Sequence, residues 1–238
     1  MNGPLLVRRN AEPAPLADVP LVPIAAFRTA VLDAVRDECR VASYFARQVM
    51  DGIELVAVLA DDTTSELGFV RTGLTENRFE SLTPECPQVQ LFEREIAEQY
   101  GVEPAGHPWL KPVRFQQSWR PGHSIFPEPV PGVMDFFRVE GDEVHEVAVG
   151  PVHASVIEPG HFRFQCHGEL VFHLETALGY QHRGVERALV GGPTKRTLPY
   201  METVAGDTTI GHALAYSHGP ACAQALRAFL ARRVPSEG

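Results

Sequence analysis

A proline-dense stretch is the feature that most restricts how this chain can fold. Residues 103–138 hold seven prolines and three glycines. Proline fixes φ and lacks an N–H, so such a stretch cannot form a helix or a central strand. We therefore expect residues 103–143 to be a Pro-rich, extended connector that lies on a surface and separates two domains.

The sequence before the connector predicts a small α+β domain over residues 22–102, preceded by a flexible arm at 1–21. Phe27 and Val31 belong to a run with helical spacing, and the apolar runs that follow predict strands. An Asp-Gly pair between two of these runs predicts a tight turn. The predicted elements are a helix at 24–35, strands at 41–45, 53–59 and 67–70, and a helix at 88–100.

The sequence after the connector, residues 144–238, predicts a β-hairpin followed by helices. Two strand-like runs flank His167 and Gly168, and before them Val144, Glu146, Ala148 and Gly150 alternate with His145, Val147 and Val149. The predicted strands lie at 162–166 and 170–174, and the predicted helices at 183–189, 207–216 and 221–232. Helices and antiparallel strands in separate stretches place the whole chain in the α+β class.

Charge and cysteine spacing exclude several kinds of site. The net charge is -9, which argues against a nucleic-acid partner. The four cysteines are far apart, and none forms the C-x-x-C pair typical of zinc and iron–sulfur ligands. No run approaches the roughly 20 apolar residues that cross a bilayer. We expect a cytoplasmic chain with no metal ligands of its own, held at the inner face of a membrane through partner subunits.

The first of two informative motifs is a charged helix followed by a sharp turn. It reads E-R-E-I-A-E-Q-Y-G-V at 93–102 and G-H-P-W-L at 106–110. We expect the helix to stop at its glycine and to present Glu93, Arg94 and Glu95 to solvent or to a partner. The string resembles the signature of the 30-kDa-type subunit of respiratory complex I.

The second motif is rich in glycine and histidine. It reads G-P-V-H-A at 150–154, E-P-G-H-F-R-F at 158–164 and L-G-Y-Q-H-R-G-V-E at 178–186. It is similar to the start of the 49-kDa-type subunit of complex I. It is closer still to the large subunit of energy-converting, group 4 nickel–iron hydrogenases of the formate hydrogenlyase kind. Those subunits fuse a 30-kDa-like domain ahead of a 49-kDa-like domain, and the order here is the same.

Candidate site residues follow from the second motif. Taken by themselves, its histidines and glutamates could relay protons near neutral pH, or could be ordinary hydrogen-bonded side chains. The resemblance implies that the hairpin and the helix after it line a buried cavity that holds nickel–iron or quinone. It assigns candidate catalytic roles to Glu158, His182, Arg183, Glu186 and His212.

One stretch departs from the hydrogenase pattern. Active hydrogenases carry E-R-I-C-G-I-C-x-x-x-H here, with both cysteines as nickel ligands, whereas this chain carries E-T-V-A-G-D-T-T-I-G-H at 202–212. Ala205 and Thr208 stand at the two cysteine positions, and neither suits nickel. We therefore expect the chain to bind no nickel. The tyrosines nearest to the quinone-contacting position of complex I are Tyr200 and Tyr216.

The resemblance leaves the role of the chain open. The family continues for hundreds of residues beyond this point, so we expect a truncated or degenerate product, a fragment, or a subunit that another chain completes. The first hypothesis is a subunit of an NADH:quinone oxidoreductase-like or hydrogenase-like complex, inactive alone, that shapes a cavity where electron transfer is coupled to proton movement. The second is a non-catalytic scaffold or assembly protein, and the third an unrelated binding protein.

Partners and cofactors follow from the first hypothesis. The resemblance implies an iron–sulfur subunit and antiporter-like membrane subunits as partners, with quinone or an iron–sulfur cluster held on a partner and no cofactor held by this chain. The C-terminal half also predicts apolar surface that must be covered, so we expect a homodimer when the chain is isolated, or a bound partner. The residues of this predicted apolar surface are Phe162, Phe164, Leu170, Phe172, Leu174, Leu226, Phe229 and Leu230.

Overall fold

The computed structural model describes residues 3–10, 12–128, 130, 133, 135–151 and 159–218. These residues fold as mixed helix and sheet, as the α+β class predicts. They form two compact units. The first takes in the described residues of Met1–Glu93, Glu103–Pro108 and Gly184–Gly238, and the second those of Arg94–Val102 and Trp109–Arg183.

The first unit is built on a four-stranded antiparallel sheet in the order β1-β4-β3-β2. Its strands are β1 (Leu6–Arg9), β2 (Arg40–Val49), β3 (Gly52–Asp61) and β4 (Glu66–Leu74). The inner strand β3 lies between β2 and β4 and pairs with both, so Ala57 faces both Tyr44 and Val70. Burial of this strand fits its nearly continuous apolar sequence.

Strand β1 corrects the expectation of a flexible arm at residues 1–21. Leu6 pairs with Phe69 and Arg9 with Glu66 along the outer edge of β4. An edge strand offers unpaired N–H and C=O groups, and a short segment that satisfies them becomes ordered.

Helix α1 (Ile24–Arg36) supplies the apolar layer that the spacing of its sequence predicts. Phe27, Ala30, Val31 and Ala34 are buried along one face. The ring of Phe27 lies 5.9 Å from that of Tyr44, measured between centroids. Tyr44, on β2, therefore sits in the aromatic centre of this unit.

The remaining strands of the first unit, β5 (Arg78–Glu80) and β6 (Glu103–Ala105), form a parallel pair. Phe79 faces Pro104, which is fully buried. A proline is tolerated there because a two-stranded sheet consists of edge strands only. The prediction based on proline density therefore missed a strand at the start of the connector.

The signature helix is α2 (Gln90–Tyr100), and its first glutamate corrects a prediction. Glu93 is 0% exposed rather than presented to solvent or a partner. Its carboxylate accepts hydrogen bonds from the hydroxyls of Ser81 (2.5 Å) and Thr83 (2.6 Å), and from the N–H of Leu82 (2.7 Å). A buried carboxylate requires such donors, so the turn at 81–83 is the reason that this position holds glutamate.

Among the described residues after Gly184 lie the short α-helices α3 (Val185–Ala188), α4 (Thr197–Glu202) and α5 (Thr209–His218). Helix α4 was not predicted. The predicted helix at 183–189 corresponds to the short α3, and that at 207–216 to α5. The predicted helix at 221–232, with Leu226, Phe229 and Leu230, lies outside the described residues.

The second unit contains a three-stranded antiparallel sheet in the order β7-β8-β9. The strands are β7 (Val144–Val149), β8 (His161–His167) and β9 (Leu170–Ala177). The described residues between Trp109 and Asp142 form no helix or strand. They are nevertheless held by specific contacts, described next.

Two side chains of α2 hold the proline-rich stretch. Glu98, 3% exposed, accepts the backbone N–H groups of Val113 (3.0 Å), Arg114 (2.9 Å) and Gln116 (3.0 Å). Arg94 donates to the carbonyls of Lys111 and Pro112, both over 2.9 Å. Burial lowers the pKa of Arg94 from its ordinary value, and the charges of Glu98 and Glu175 oppose that change. A backbone without regular structure thus gains the partners it would otherwise lack.

Candidate functional site

The predicted site residues fall in both units. His182 and Arg183 belong to the second unit and are exposed, with the ring of His182 against the side-chain amide of Gln116. Glu186, exposed on α3, and His212, half-buried on α5, belong to the first. Glu158 lies outside the described residues.

His212 has a defined environment. Its Nδ1 lies 2.9 Å from Oγ1 of Thr208 and 3.0 Å from the carbonyl oxygen of the same residue. Oγ1 of Thr208 is also 3.5 Å from the carbonyl oxygen of Ala205. The two positions that the resemblance aligns with nickel-binding cysteines therefore supply a hydroxyl and a methyl group. This donor set does not fit nickel–iron, because soft thiolates bind that centre.

The described part of the chain contains no group of three or more His, Cys, Asp or Glu side chains placed to hold a metal ion. None of the helices described here is long and apolar enough to cross a membrane. The tyrosines considered as quinone contacts, Tyr200 on α4 and Tyr216 on α5, are half-buried.

The sheet of the second unit has one polar face, which we call the inner face. Residues paired across an antiparallel sheet lie on the same face. Glu146, Gln165 and His173 form one such row, and Ala148, Arg163 and Glu175 form the next. Arg163 and Gln165 both contact the carboxylate of Glu146, over 3.0 and 2.6 Å.

The proline-rich stretch covers this inner face. Nζ of Lys111 lies 2.9 Å from the buried carboxylate of Glu175, which also accepts the N–H of Phe137 over 2.8 Å. The rings of Trp109 and Phe137 lie 5.3 and 4.4 Å from that of His173. The guanidinium of Arg163 stacks 4.1 Å from the ring of Phe136. The polar face is thus the one that packs within the unit.

The opposite, outer face is largely apolar. Its paired rows are Val147–Phe164–Leu174, Val149–Phe162–Thr176 and His145–Cys166–Val171. Val147 and Leu174 are 42% and 46% exposed, and the two phenylalanines are half-buried. The outer face therefore has the residues of a core and the exposure of a surface.

Further exposed apolar residues lie in and next to β9. Val171 pairs with Cys166 on the outer face, Phe172 lies at the register shift, and Leu178, 65% exposed, follows the strand; Leu170, 61% exposed, pairs with His167 on the opposite face. Monomeric proteins rarely leave contiguous apolar patches of this kind uncovered, so the outer face is a candidate interaction surface. Sequence reasoning included the phenylalanines and leucines of this face but missed Val147 and Val149. It also missed the polar inner row, whose period-two alternation with the apolar residues was the available signal.

Comparison with known families gives a match for residues 25–129. They match the model of "Respiratory-chain NADH dehydrogenase, 30 Kd subunit". The matched range holds α1, the sheet strands β2 to β4, the signature helix α2 and the stretch that Glu98 and Arg94 hold. The resemblance predicted from the first motif is confirmed.

Individual relatives extend the similarity into the C-terminal half. The chain is 28% identical over 153 residues to hydrogenase-4 component G of Escherichia coli (strain K12), covering 59% of this chain and 28% of the relative. It is 27% identical over 188 residues to formate hydrogenlyase subunit 5 of the same organism, covering 68% and 33%. It is 25% identical over 194 residues to the C/D subunit of NADH-quinone oxidoreductase from Bacteroides fragilis (strain ATCC 25285), covering 67% and 34%.

The chain spans about a third of the length of the curated relatives it matches. These relatives are named as hydrogenase, formate hydrogenlyase and fused NADH-quinone oxidoreductase subunits, the two groups that the motifs predict. Residues 25–129 are therefore similar to the 30-kDa subunit of respiratory NADH dehydrogenase, in a chain that is also similar to hydrogenase and NADH-quinone oxidoreductase subunits.

Proposed function

We propose that the chain is a subunit of a membrane-associated electron-transfer complex of the NADH-quinone oxidoreductase or energy-converting hydrogenase type. In that complex it shapes a cavity where electron transfer is coupled to proton movement. The chain lies at the inner face of the membrane and is held there through partner subunits. An iron–sulfur subunit supplies electrons, and antiporter-like subunits move protons.

The exposure of His182, Arg183 and Glu186 carries this proposal. The resemblance assigns these side chains to a buried cavity, yet here they lie at the surface. A cavity wall with this exposure needs further protein to close it. Arginine and histidine at such a wall would donate hydrogen bonds to a quinone carbonyl or accept protons near neutral pH.

A non-catalytic scaffold is the second candidate, and the environment of His212 favours it. Thr208 and Ala205 replace the nickel ligands of the hydrogenases in the resemblance, so hydrogen chemistry at a nickel–iron centre is not proposed. On this view the 30-kDa domain and the outer face hold other subunits together, while the redox centre lies elsewhere in the complex.

Purification of the tagged chain from its own organism in mild detergent tests both candidates. We expect iron–sulfur and membrane subunits to co-purify in fixed ratio, and the assembly to reduce quinone with NADH or another donor. Arg183→Ala should lower that turnover by at least about tenfold with the assembly intact. A matched Arg187→Ala variant, an exposed arginine on α3, should retain it.

The outcomes separate the candidates. An intact assembly with unchanged turnover in Arg183→Ala would overturn the cavity role and leave the scaffold. A chain that purifies without redox subunits would overturn both.

A further inference from the structure

The outer face of the second unit's sheet requires a cover, and its surroundings indicate what that cover is made of. The face presents Val147, Phe164 and Leu174 in one row across all three strands. The inner face is already covered by the chain's own proline-rich stretch. The missing cover therefore belongs on one side of the sheet only.

One end of this sheet is acidic. Val144, His167 and Leu170 are paired at that end, so the segments just before β7 and between β8 and β9 meet there. Four exposed carboxylates lie on these segments: Glu140, Asp142, Glu143 and Glu169. We call them the acidic rim. His167 lies 3.0 Å from Glu143, and Arg138 is the nearest arginine or lysine along the chain.

The acidic rim discriminates between occupants. A membrane surface rich in anionic lipid would repel it, because such surfaces attract lysine and arginine. A second copy of this chain would bring another acidic rim and a net charge of -9, with like charges opposing close approach. A protein surface with apolar side chains bordered by lysine or arginine matches both the face and its rim.

We propose that the outer face is a docking site for a different polypeptide, one that presents an apolar patch flanked by basic residues against the acidic rim. One part of this inference rests on the proposed function: the polypeptide is taken to be a subunit of the same complex. Apolar contact supplies the affinity, and the rim sets the orientation and the rate of association.

The test uses the complex purified with the full chain. Zero-length carbodiimide coupling, which joins carboxylates to lysines in direct contact, is followed by mass spectrometry. We expect Asp142, Glu143 or Glu169 to be joined to a lysine of a different polypeptide. In a Leu174→Glu variant, at least about tenfold less of that polypeptide should be retained. Leu91→Glu is the matched control, because Leu91 is 54% exposed on α2, in the first unit.

Charge variants test the rim without altering the apolar face. Asp142→Lys with Glu169→Lys should release the partner at lower salt, whereas Glu76→Lys, an exposed carboxylate of the first unit, should not. Circular dichroism checks that Leu174→Glu stays folded. If it unfolds, the charge variants and the cross-links still decide.

Four results would overturn the inference. They are cross-links only to another copy of this chain, binding of the purified chain to phosphatidylglycerol vesicles through Leu174, a partner retained in full by Leu174→Glu, and an unchanged salt dependence in the charge variants. If the linked polypeptide belongs to no electron-transfer complex, the docking site stands and the proposed function fails.

Discussion

Nζ of Lys111 lies 2.9 Å from the carboxylate of Glu175, a side chain only 2% exposed. The lysine also donates to the carbonyl of Asp135 and lies 5.2 Å from the centre of the Trp109 ring. This ion pair therefore joins strand β9 to the proline-rich stretch that covers its inner face. The buried carboxylate thus has a cation and the N–H of Phe137 as its partners.

Lys111→Met is expected to lower the free energy of unfolding by about 3–5 kcal/mol, because it leaves the Glu175 charge buried without its cation. Urea denaturation followed by circular dichroism measures the change. Arg36→Met removes an exposed partner of Asp33 and should cost under about 1 kcal/mol. Equal losses in the two variants would contradict the structural role of the buried pair.

Glu98→Gln is expected to loosen the proline-rich stretch before the rest of the molecule. The amide replaces a carboxylate that accepts the N–H groups of Val113, Arg114 and Gln116. Because the charge-assisted hydrogen bonds are lost, we expect hydrogen exchange at these amides to be about tenfold faster. Glu95→Gln is the control, since Glu95 accepts a hydrogen bond from the side chain of Gln99 and forms an ion pair with Arg114. If hydrogen exchange at these amides is equally slow in both variants, other contacts hold the stretch.

Tyr44→Phe is expected to stabilise the protein by about 1 kcal/mol. The hydroxyl of Tyr44 is buried, and no described residue forms a hydrogen bond with it, so removing it relieves a desolvated polar group. Urea denaturation of the variant, with the exposed Tyr180→Phe as control, tests this. Lower stability of Tyr44→Phe at neutral pH would contradict it.

The same tyrosine predicts a pH dependence. Burial, and secondarily the charge of Glu93, raise the pKa of Tyr44 well above its ordinary value. The folded state then holds this proton more tightly than the unfolded state, whose phenol titrates near pH ~10. Ionisation of the unfolded phenol therefore lowers the stability of the wild type as pH rises above that value. The difference between wild type and Tyr44→Phe should therefore widen above pH ~10. A difference that stays constant with pH would argue against a raised pKa.

Gly101→Ala is expected to destabilise by about 3 kcal/mol. Gly101 ends α2 with φ at +63°, and an added Cβ would collide with the carbonyl oxygen of His123. Backbone strain and overpacking each contribute. Gly122→Ala has φ at +78° but an open environment, so it should show the backbone strain alone, about 1 kcal/mol. Thermal unfolding compares the two, and similar losses would mean that the collision is relieved by movement of His123.

Local patterns in the sequence predicted the position of a helix and the end of another. The helical spacing of Phe27 and Val31 located α1, and the stop at Gly101 follows from a glycine that can adopt positive φ. The burial of Glu93 could not be predicted in this way. Its donors lie on a turn 10 to 12 positions earlier, and a charged residue in a helix is usually exposed.

The candidate site was predicted less well for a related reason. The resemblance identified His182, Arg183, Glu186 and His212. A role inferred in this way does not predict how exposed each side chain is or how far it lies from its neighbours. The inner row of Glu146, Gln165 and His173 depends on strand register, which is fixed by pairing rather than by any one segment.

In the second unit the polar face of the sheet is packed and the apolar face is exposed. Selection for folding and selection for binding therefore act on different faces. Substitutions on the inner face disturb the ion pair of Lys111 and Glu175 and thereby the folded state. Substitutions at Val147 or Leu174 leave that network untouched and alter only what the outer face can recognise. A lineage could therefore exchange one binding partner for another by drift on the outer face, while the domain beneath continues to fold.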